Sequence, residues 1–355
     1  MKIITIIGAR PQFIKAANLS REIAKYEEIE EILIHTGQHY DDNMSNIFFD
    51  EMQIPKPKYN LGIGGSSNGE MTGQMIEKIE QVCLIEKPNI LLVYGDTNST
   101  LAGAIVASKM DVKLVHVEAG LRSYNMKMPE EINRILTDRV SDVLLCPTIT
   151  AVNNLKIEGF ENYDCKISNV GDIMYDGALF YSNLSKPPKN TIDSEFYLVT
   201  VHRAENTNDF SKLKSIIETL NKLSSEKTII FPIHPRTKKK IKEFNLKLAF
   251  ETIDPVGYLE MVWLIKNSKL VITDSGGLQK EAFFFGKPCV TLREETEWSE
   301  LVDSGYNLLA GHSEDKIRNA VNTLKDKEIV NTSLYGDGRT ASKIINLLLE
   351  LKAEY

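Results

Sequence analysis

The sequence predicts an α/β protein of two domains, each built on an open, doubly wound parallel sheet. Short apolar runs alternate with amphipathic helical stretches along the whole chain. Several of these runs are unbroken rather than alternating, as strands covered by helices on both faces require. The length, 355 residues, exceeds one ordinary core and suits two domains of about 170 residues each.

In the first half, the candidate strands are Ile3–Ile7, Glu31–Thr36, Ile90–Tyr94, Leu114–Val117 and Val143–Pro147. A second series follows: Phe196–Val201, Thr228–Ile233, Leu270–Thr273 and Cys289–Leu292. Helical stretches separate them, which makes βαβ units. One is Pro129–Val140, with proline and two glutamates in its first turn and Ile132, Ile135, Leu136 and Val140 on one face. The seam falls near Gly171–Lys189, so residues 1–172 form the N-terminal domain and 173–340 the C-terminal one. The last helix, with Ile344, Ile345, Leu347, Leu348 and Leu351 apolar, lies in 341–355 and is expected to return to the first domain. No short-period repeat and no low-complexity tract is present.

Composition bounds the function. Hydrophobic residues make up 42% and charged residues 26%, ordinary for a globular protein. A net charge of −7 argues against a general nucleic-acid or anionic-membrane binder. The apolar run in MKIITIIGARPQ is too short for a signal peptide or a membrane span. Cys83, Cys146, Cys165 and Cys289 are scattered, with no C-x-x-C pair, so reduced thiols and no zinc site are expected. The protein is expected to be cytoplasmic.

Ligands of open parallel sheets bind beyond the carboxyl ends of the strands, and a two-domain arrangement puts the site in a cleft between the domains. The residues after each strand therefore matter most. After the first comes Gly8-Ala9-Arg10-Pro11-Gln12-Phe13-Ile14-Lys15. A dinucleotide fingerprint needs glycine where Arg10 and Phe13 stand. Instead a glycine turn presents a guanidinium at a helix start with Lys15 a turn later, either a phosphate clamp or ordinary surface charge. Asp96 follows Ile90–Tyr94 and can cap a helix or do chemistry. Glu118 follows Leu114–Val117, preceded by His116, and is harder to explain by capping. Glu130 opens a helix, where acid also compensates the dipole. Three carboxylates at one edge exceed what stability requires.

The second half supplies the opposite polarity. Val201-His202-Arg203 and His234-Pro235-Arg236 end its first two strands. Ser275-Gly276-Gly277 brings bare amides to a helix N-terminus, an anion site for a diphosphate, and Glu281 lies further along that helix where it can reach ribose hydroxyls. The stretch Gly62–Gly69 looks like a phosphate loop but has no obvious strand before it, so it reads as a plain loop.

Taken in order and at their spacing, GARPQFIK, YGDTNST, HVEAGLRS, PEEINR, VTVHRAEN, HPRT and DSGGLQKEAFFFGKP resemble the non-hydrolysing UDP-N-acetylglucosamine 2-epimerase family over essentially the whole chain. The resemblance implies two Rossmann-like domains facing a cleft, of the glycosyltransferase-B type, and homodimers. It implies a UDP-sugar substrate and UDP as ligands, with no cofactor and no metal. UDP is eliminated anti across C1 and C2 to leave a bound 2-acetamidoglucal, then re-added with a proton delivered to the other face. By position, Asp96, Glu118 and Glu130 share base and acid duties, and Lys15 and His202 also belong to the catalytic set. His202 steadies or protonates the departing diphosphate, while Arg10, Lys15 and the Ser275, Gly276 and Gly277 amides offset its charge. Arg134 orders the cleft, Glu281 holds the ribose, and His234 and Tyr258 complete the substrate contacts.

Two departures point within the family. Members acting on UDP-N-acetylglucosamine typically read G-T-R-P-E where this chain has Gly8-Ala9-Arg10-Pro11-Gln12, and the segment between Arg122 and Pro129 is short. Members activated by their own substrate carry Gln-His with a nearby Arg-Gln; here Gln38-His39 stand without the second pair. Both departures resemble the branch acting on UDP-2,3-diacetamido-2,3-dideoxyglucuronate, a precursor of surface polysaccharide. Gln12 in place of glutamate, and Lys127 in the short loop, would reduce repulsion toward a carboxylated sugar. The alternatives are the plain UDP-N-acetylglucosamine enzyme, a sugar transferase of the same fold, a hydrolysing epimerase and a non-catalytic UDP-sugar sensor, the last having little reason to carry all three carboxylates.

Overall fold

Strand β1 (Lys2–Ile7) reads KIITII and is buried from its second residue onward, so it can only be a central strand. Each of its buried isoleucines contributes about 1.5–3 kcal/mol. In the computed structural model, which describes residues 1–38, 53, 55–189, 194–329 and 333–352, β1 pairs in parallel with β2 (Glu30–His35) and β4 (Ile90–Tyr94). The sheet continues through β3 (Tyr59–Asn60) on one side and through β5 (Lys113–Val117), β6 (Val143–Cys146) and β7 (Lys166–Asn169) on the other, all parallel. Its helices are α1 (Arg10–Ile23), α2 (Asn68–Glu86), α3 (Asn98–Met110), α4 (Pro129–Val140) and α5 (Ile149–Ile157).

A second parallel sheet holds β8 (Phe196–Thr200), β9 (Thr228–Ile230), β10 (Leu270–Thr273), β11 (Cys289–Thr291) and β12 (Asn307–Leu309). The chain divides into two compact units, residues 1–177 with 333–355 and residues 178–332. The division falls inside helix α6 (Ile173–Leu184). The α/β class of the sequence reading therefore holds in both halves. Helix α7 (Ala204–Thr207) follows β8, and α8 (Phe210–Ser224) starts on Asp209, whose carboxylate accepts from Ser211 N–H at 2.8 Å. Then come α9 (Pro235–Glu243), α10 (Tyr258–Asn267), α11 (Gly276–Phe284), α12 (Ser299–Asp303) and α13 (Glu314–Leu324). The last helix, α14 (Thr340–Lys352), packs on α1 in the first unit; Asp176 takes its leading N–H groups, Thr340 at 3.0 Å and Ala341 at 2.8 Å.

Two expectations are corrected. Ile132, Leu136 and Val140 of α4 are exposed, whereas Glu131, Asn133, Arg134, Thr137 and Asp138 are buried. The helix turns its polar face inward because that face belongs to the site, and its apolar stripe faces outward. The glycine-rich stretch at 62–69 also has a strand before it: the two-residue β3 ends at Asn60, and Ile63 N–H donates to Thr36 C=O at 2.8 Å.

Glu86, the last residue of α2, joins that helix to the sheet. It accepts from Lys58 Nζ at 2.6 Å, Tyr59 Oη at 2.6 Å and Lys2 Nζ at 3.1 Å. The lysines also offset the unfavourable placement of an acid at a helix C-terminus. Those hydrogen bonds, Lys58 first, hold its carboxyl down at about 2 against an ordinary 4.5. A depressed carboxylate stabilises the fold fully above its unfolded value and loses that contribution as pH falls through the folded one. The thermal midpoint should therefore drop between pH 4.5 and 2 in the wild type, and Glu86→Gln should flatten that slope in pH-dependent calorimetry.

Candidate active site

Both sheets have a topological switch point, the place where strand order reverses and open α/β sheets bind ligands. In the first, order β3-β2-β1-β4-β5-β6-β7, it lies between β1 and β4; in the second, order β12-β11-β10-β8-β9, between β10 and β8. The predicted residues after β1, β4, β5, β8 and β10 thus stand at the carboxyl edges next to the switch points.

In the first unit, β4 and β5 end side by side and bring Asp96 and Glu118 to one edge. Glu118 adopts a left-handed conformation with φ 73°, which costs a residue with a side chain about 1–3 kcal/mol. Its N–H and that of Ala119 both donate to Leu145 C=O, at 3.0 and 3.1 Å. Its carboxylate pairs with the Lys15 ammonium from α1. Gly95, at φ 62°, gives both groups room: a Cβ there would sit 3.2 Å from Glu118 Oε2 and 3.3 Å from Lys15 Nζ.

Asp96 pairs with Arg134, and Arg134 pairs with Glu131 one turn earlier on α4. Burial alone would lower Arg134, but the two carboxylates outweigh it and raise its pKa above the ordinary arginine value. Asn133 donates to Asp96 C=O at 2.9 Å, a second tie between α4 and the β4 turn. Glu131 also accepts from Ser123 Oγ at 2.9 Å and Tyr124 N–H at 2.8 Å, fixing the loop that leads into α4. Its burial would raise the carboxyl, yet these donors and Arg134 hold it below the usual range. Glu130, in the first turn of α4 one turn from Arg134, is exposed and among the described residues makes no hydrogen bond or ion pair. The site thus holds paired carboxylates at Asp96 and Glu118 and an unpaired one at Glu130, a set able to take and give protons at a weakly acidic C–H.

One sequence expectation fails here. Gln12 is 1% exposed and fully occupied: Gly8 and Ala9 N–H donate to its Oε1 at 2.8 and 3.0 Å, while its Nε2 donates to Tyr94 C=O at 2.8 Å and Thr100 Oγ1 at 3.0 Å. It shapes the β1 turn and cannot face a sugar carboxylate. The Arg10 side chain and His39 lie outside the described residues; Gln38 accepts from Ser99 N–H at 3.1 Å.

In the second unit, fully buried Asp274 after β10 organises the β8 turn. Its carboxylate accepts from His202 N–H at 3.0 Å, Arg203 N–H at 3.0 Å and Asn206 Nδ2 at 3.1 Å. This leaves the His202 ring partly exposed, 5.7 Å centroid to centroid from His234. His234 caps α9, its Nδ1 accepting Arg236 N–H at 3.2 Å. Burial first, and then His202 and Arg236, push its pKa down, which favours the neutral ring.

Ser275, Gly276 and Gly277 open α11; the Ser275 side chain makes no cap hydrogen bond, and the Ser275 N–H donates to Thr273 Oγ1 at 2.9 Å. Gly277 is exposed and a Cβ there would meet nothing. A Cβ at Gly276 would fall 2.2 Å from Glu297 Oε1, so the Glu297 side chain would have to swing aside. Further along, Glu281 Oε1 accepts from Tyr258 Oη at 3.1 Å, which brings two predicted substrate residues together. Among the described residues no group of three His, Cys, Asp or Glu is placed to hold a metal ion.

A model of the UDP-N-acetylglucosamine 2-epimerase family matches residues 21–349. The chain belongs to that family. The epimerase is 55% identical, over 99% of its own length and 100% of the relative's, to the UDP-2,3-diacetamido-2,3-dideoxy-D-glucuronate 2-epimerase of Pseudomonas aeruginosa. It superposes with a TM-score of 0.86 and 43% identity on the UDP-GlcNAc 2-epimerase of Methanocaldococcus jannaschii in complex with UDP-GlcNAc and UDP, covering 99% of this chain and 100% of that one. The Neisseria meningitidis UDP-GlcNAc 2-epimerase bound to UDP-GlcNAc matches at 0.87 and 30%, with the same coverage. The chain is therefore an isomerase, and among the described residues no helix is long and apolar enough to cross a membrane.

Sequence reasoning missed the groups that hold the epimerase's site residues in place, chiefly Glu131, Asn133, Asp274 and Glu297. Asp274 alone had a readable signal, an acid directly at a strand end, as at Asp96. The others become visible only when their partners come together in the fold.

Proposed function

We propose that this epimerase inverts C2 of UDP-2,3-diacetamido-2,3-dideoxy-D-glucuronate, supplying the manno epimer for a surface polysaccharide in the cytoplasm. One carboxylate takes the C2 proton as the C1–O bond ionises; the C–H electron pair becomes the C1–C2 double bond, and UDP leaves with the C–O pair. UDP re-adds at C1 while a carboxylic acid delivers a proton to C2 from the opposite face. Asp96, Glu118 and Glu130 share these duties. His202 and Lys15, with Arg10 and the Ser275–Gly277 amides, offset charge on the diphosphate. Glu281 with Tyr258 holds the ribose, His234 lines the nucleotide side, and Arg134 fixes Asp96.

The observation that carries this reading is the placement of Asp96 and Glu118 at the carboxyl ends of the adjacent strands β4 and β5, together with full-length identity of 55% to the P. aeruginosa enzyme. With Gln12 excluded, support for a carboxylated sugar rests on Lys127, an exposed cation in the loop leading into α4. The test is kcat/KM for the diacetamido-glucuronate and for UDP-N-acetylglucosamine. The reading predicts at least a tenfold preference for the former, about 1.4 kcal/mol; equal values or the reverse order would assign the neutral sugar.

The outward stripe of Ile132, Leu136 and Val140 supports a homodimer joined through α4. Leu136→Glu should halve the mass seen by light scattering, and an unchanged mass would move the interface elsewhere.

A further inference from the structure

We propose that Asp138 is a positioning residue that sets the orientation of both catalytic carboxylates at once, acting through His116. The inference rests on the reading that Asp96 and Glu118 carry the proton transfers.

Asp138 and His116 are each 0% exposed and neither can touch substrate. Asp138 Oδ1 contacts His116 Nδ1 at 2.7 Å. Its Oδ2 accepts from Gly120 N–H at 3.1 Å and from Arg122 Nη1 at 2.7 Å. His116 precedes Glu118 by two residues, and Gly120 and Arg122 follow it, so one carboxylate grips the turn on both sides of Glu118. That turn holds Glu118 in the left-handed region at φ 73°, a strained conformation for a residue with a side chain, which an external clamp maintains.

The other ring nitrogen carries the restraint to the second carboxylate. His116 Nε2 lies 2.8 Å from Gly95 C=O, and Gly95 is the left-handed residue immediately before Asp96. One buried imidazole thus ties the β5 turn bearing Glu118 to the β4 turn bearing Asp96. Arg122 is anchored from behind: Nε and Nη2 reach Glu158 Oε1 and Oε2 at 2.6 and 2.8 Å, and Nη1 also donates to Leu121 C=O at 2.7 Å. Burial would raise the Asp138 carboxyl, but His116 and Arg122 outweigh it and keep it below the usual range.

Stability alone does not require such a cluster, since buried ionic groups are often replaced by apolar ones without loss. Its geometric product is the relative placement of two proton-transfer groups, where an error of about 1 Å costs on the order of 10²-fold in rate.

The test uses Asp138→Ala, which removes the clamp, and His116→Asn, which keeps a polar atom near the Nδ1 position and deletes the Gly95 contact. Turnover, KM, UDP affinity and the isotope effect with C2-deuterated substrate are measured on each folded variant. The proposal expects kcat lowered by about 10²-fold, KM and UDP affinity within twofold, and a larger isotope effect, because proton transfer has become slower relative to the other steps. A mere loss of folded enzyme would lower kcat and leave the isotope effect unchanged; that result, or turnover within threefold of wild type, overturns the proposal. If Asp138→Ala does not fold, His116→Asn decides alone. A wild type that turns over no UDP-sugar would instead defeat the functional reading on which the proposal rests.

Discussion

Glu118→Gln should lower kcat by about 10³-fold, roughly 4 kcal/mol of transition-state stabilisation, while UDP binds as before. The amide keeps the shape of the side chain and cannot take the C2 proton. It also loses the ion pair with Lys15. The group removed is a proton-transfer group, so the effect should sit in turnover and not in KM. Product formation followed by chromatography, with UDP affinity by calorimetry, separates the two. A variant that turns over at the wild-type rate would remove Glu118 from the chemistry and leave it as a structural partner of Lys15.

The second large effect belongs to the other sheet. Asp274→Ala should cost about 3 kcal/mol of stability, because it leaves the N–H groups of His202 and Arg203 and the Asn206 amide without their buried acceptor. It should also weaken UDP binding, since the β8 turn that presents His202 is built on that carboxylate. Thermal unfolding with and without UDP reads both consequences. A loss of stability with unchanged UDP affinity would mean that the turn keeps its shape without Asp274, and that His202 is held by β8 alone.

The difference between these two residues shows how much of the molecule could be read from its sequence. Nine strands, eight of them central and one, β9, at a sheet edge, announce themselves as mainly apolar runs, and their ends fall within a few residues of the expected ones. The strands that escaped, β3, β7 and β12, are edge strands of two to four residues with polar members such as Asn60, Asn169 and Asn307. An edge strand is covered on one side only and needs no apolar signature. Helix α4 misled in the opposite way. Its range was legible from Pro129 and the acidic first turn, but its apolar face points outward because Asn133, Arg134 and Asp138 are needed within. A hydrophobic stripe reports amphipathicity, not which side meets the core.

Asp96, Glu118 and His202 follow strand ends and were singled out for that reason, whereas Glu130 opens a helix. Gln12 was misread because a buried amide with four hydrogen bonds looks, in one dimension, like a polar residue facing a ligand. Its partners Tyr94 and Thr100 lie more than eighty residues away. A separation of 72 residues likewise hid the grip of Asp274 on His202.

Proton NMR of the turnover of UDP-2,3-diacetamido-2,3-dideoxy-D-glucuronate in D2O tests the elimination and re-addition mechanism most directly. The account predicts a manno-configured UDP-sugar bearing deuterium at C2, because the abstracted proton is lost to solvent before the other face is reprotonated. Epimer formed with C2 fully protonated, or UDP bound with no exchange at C2, would contradict it.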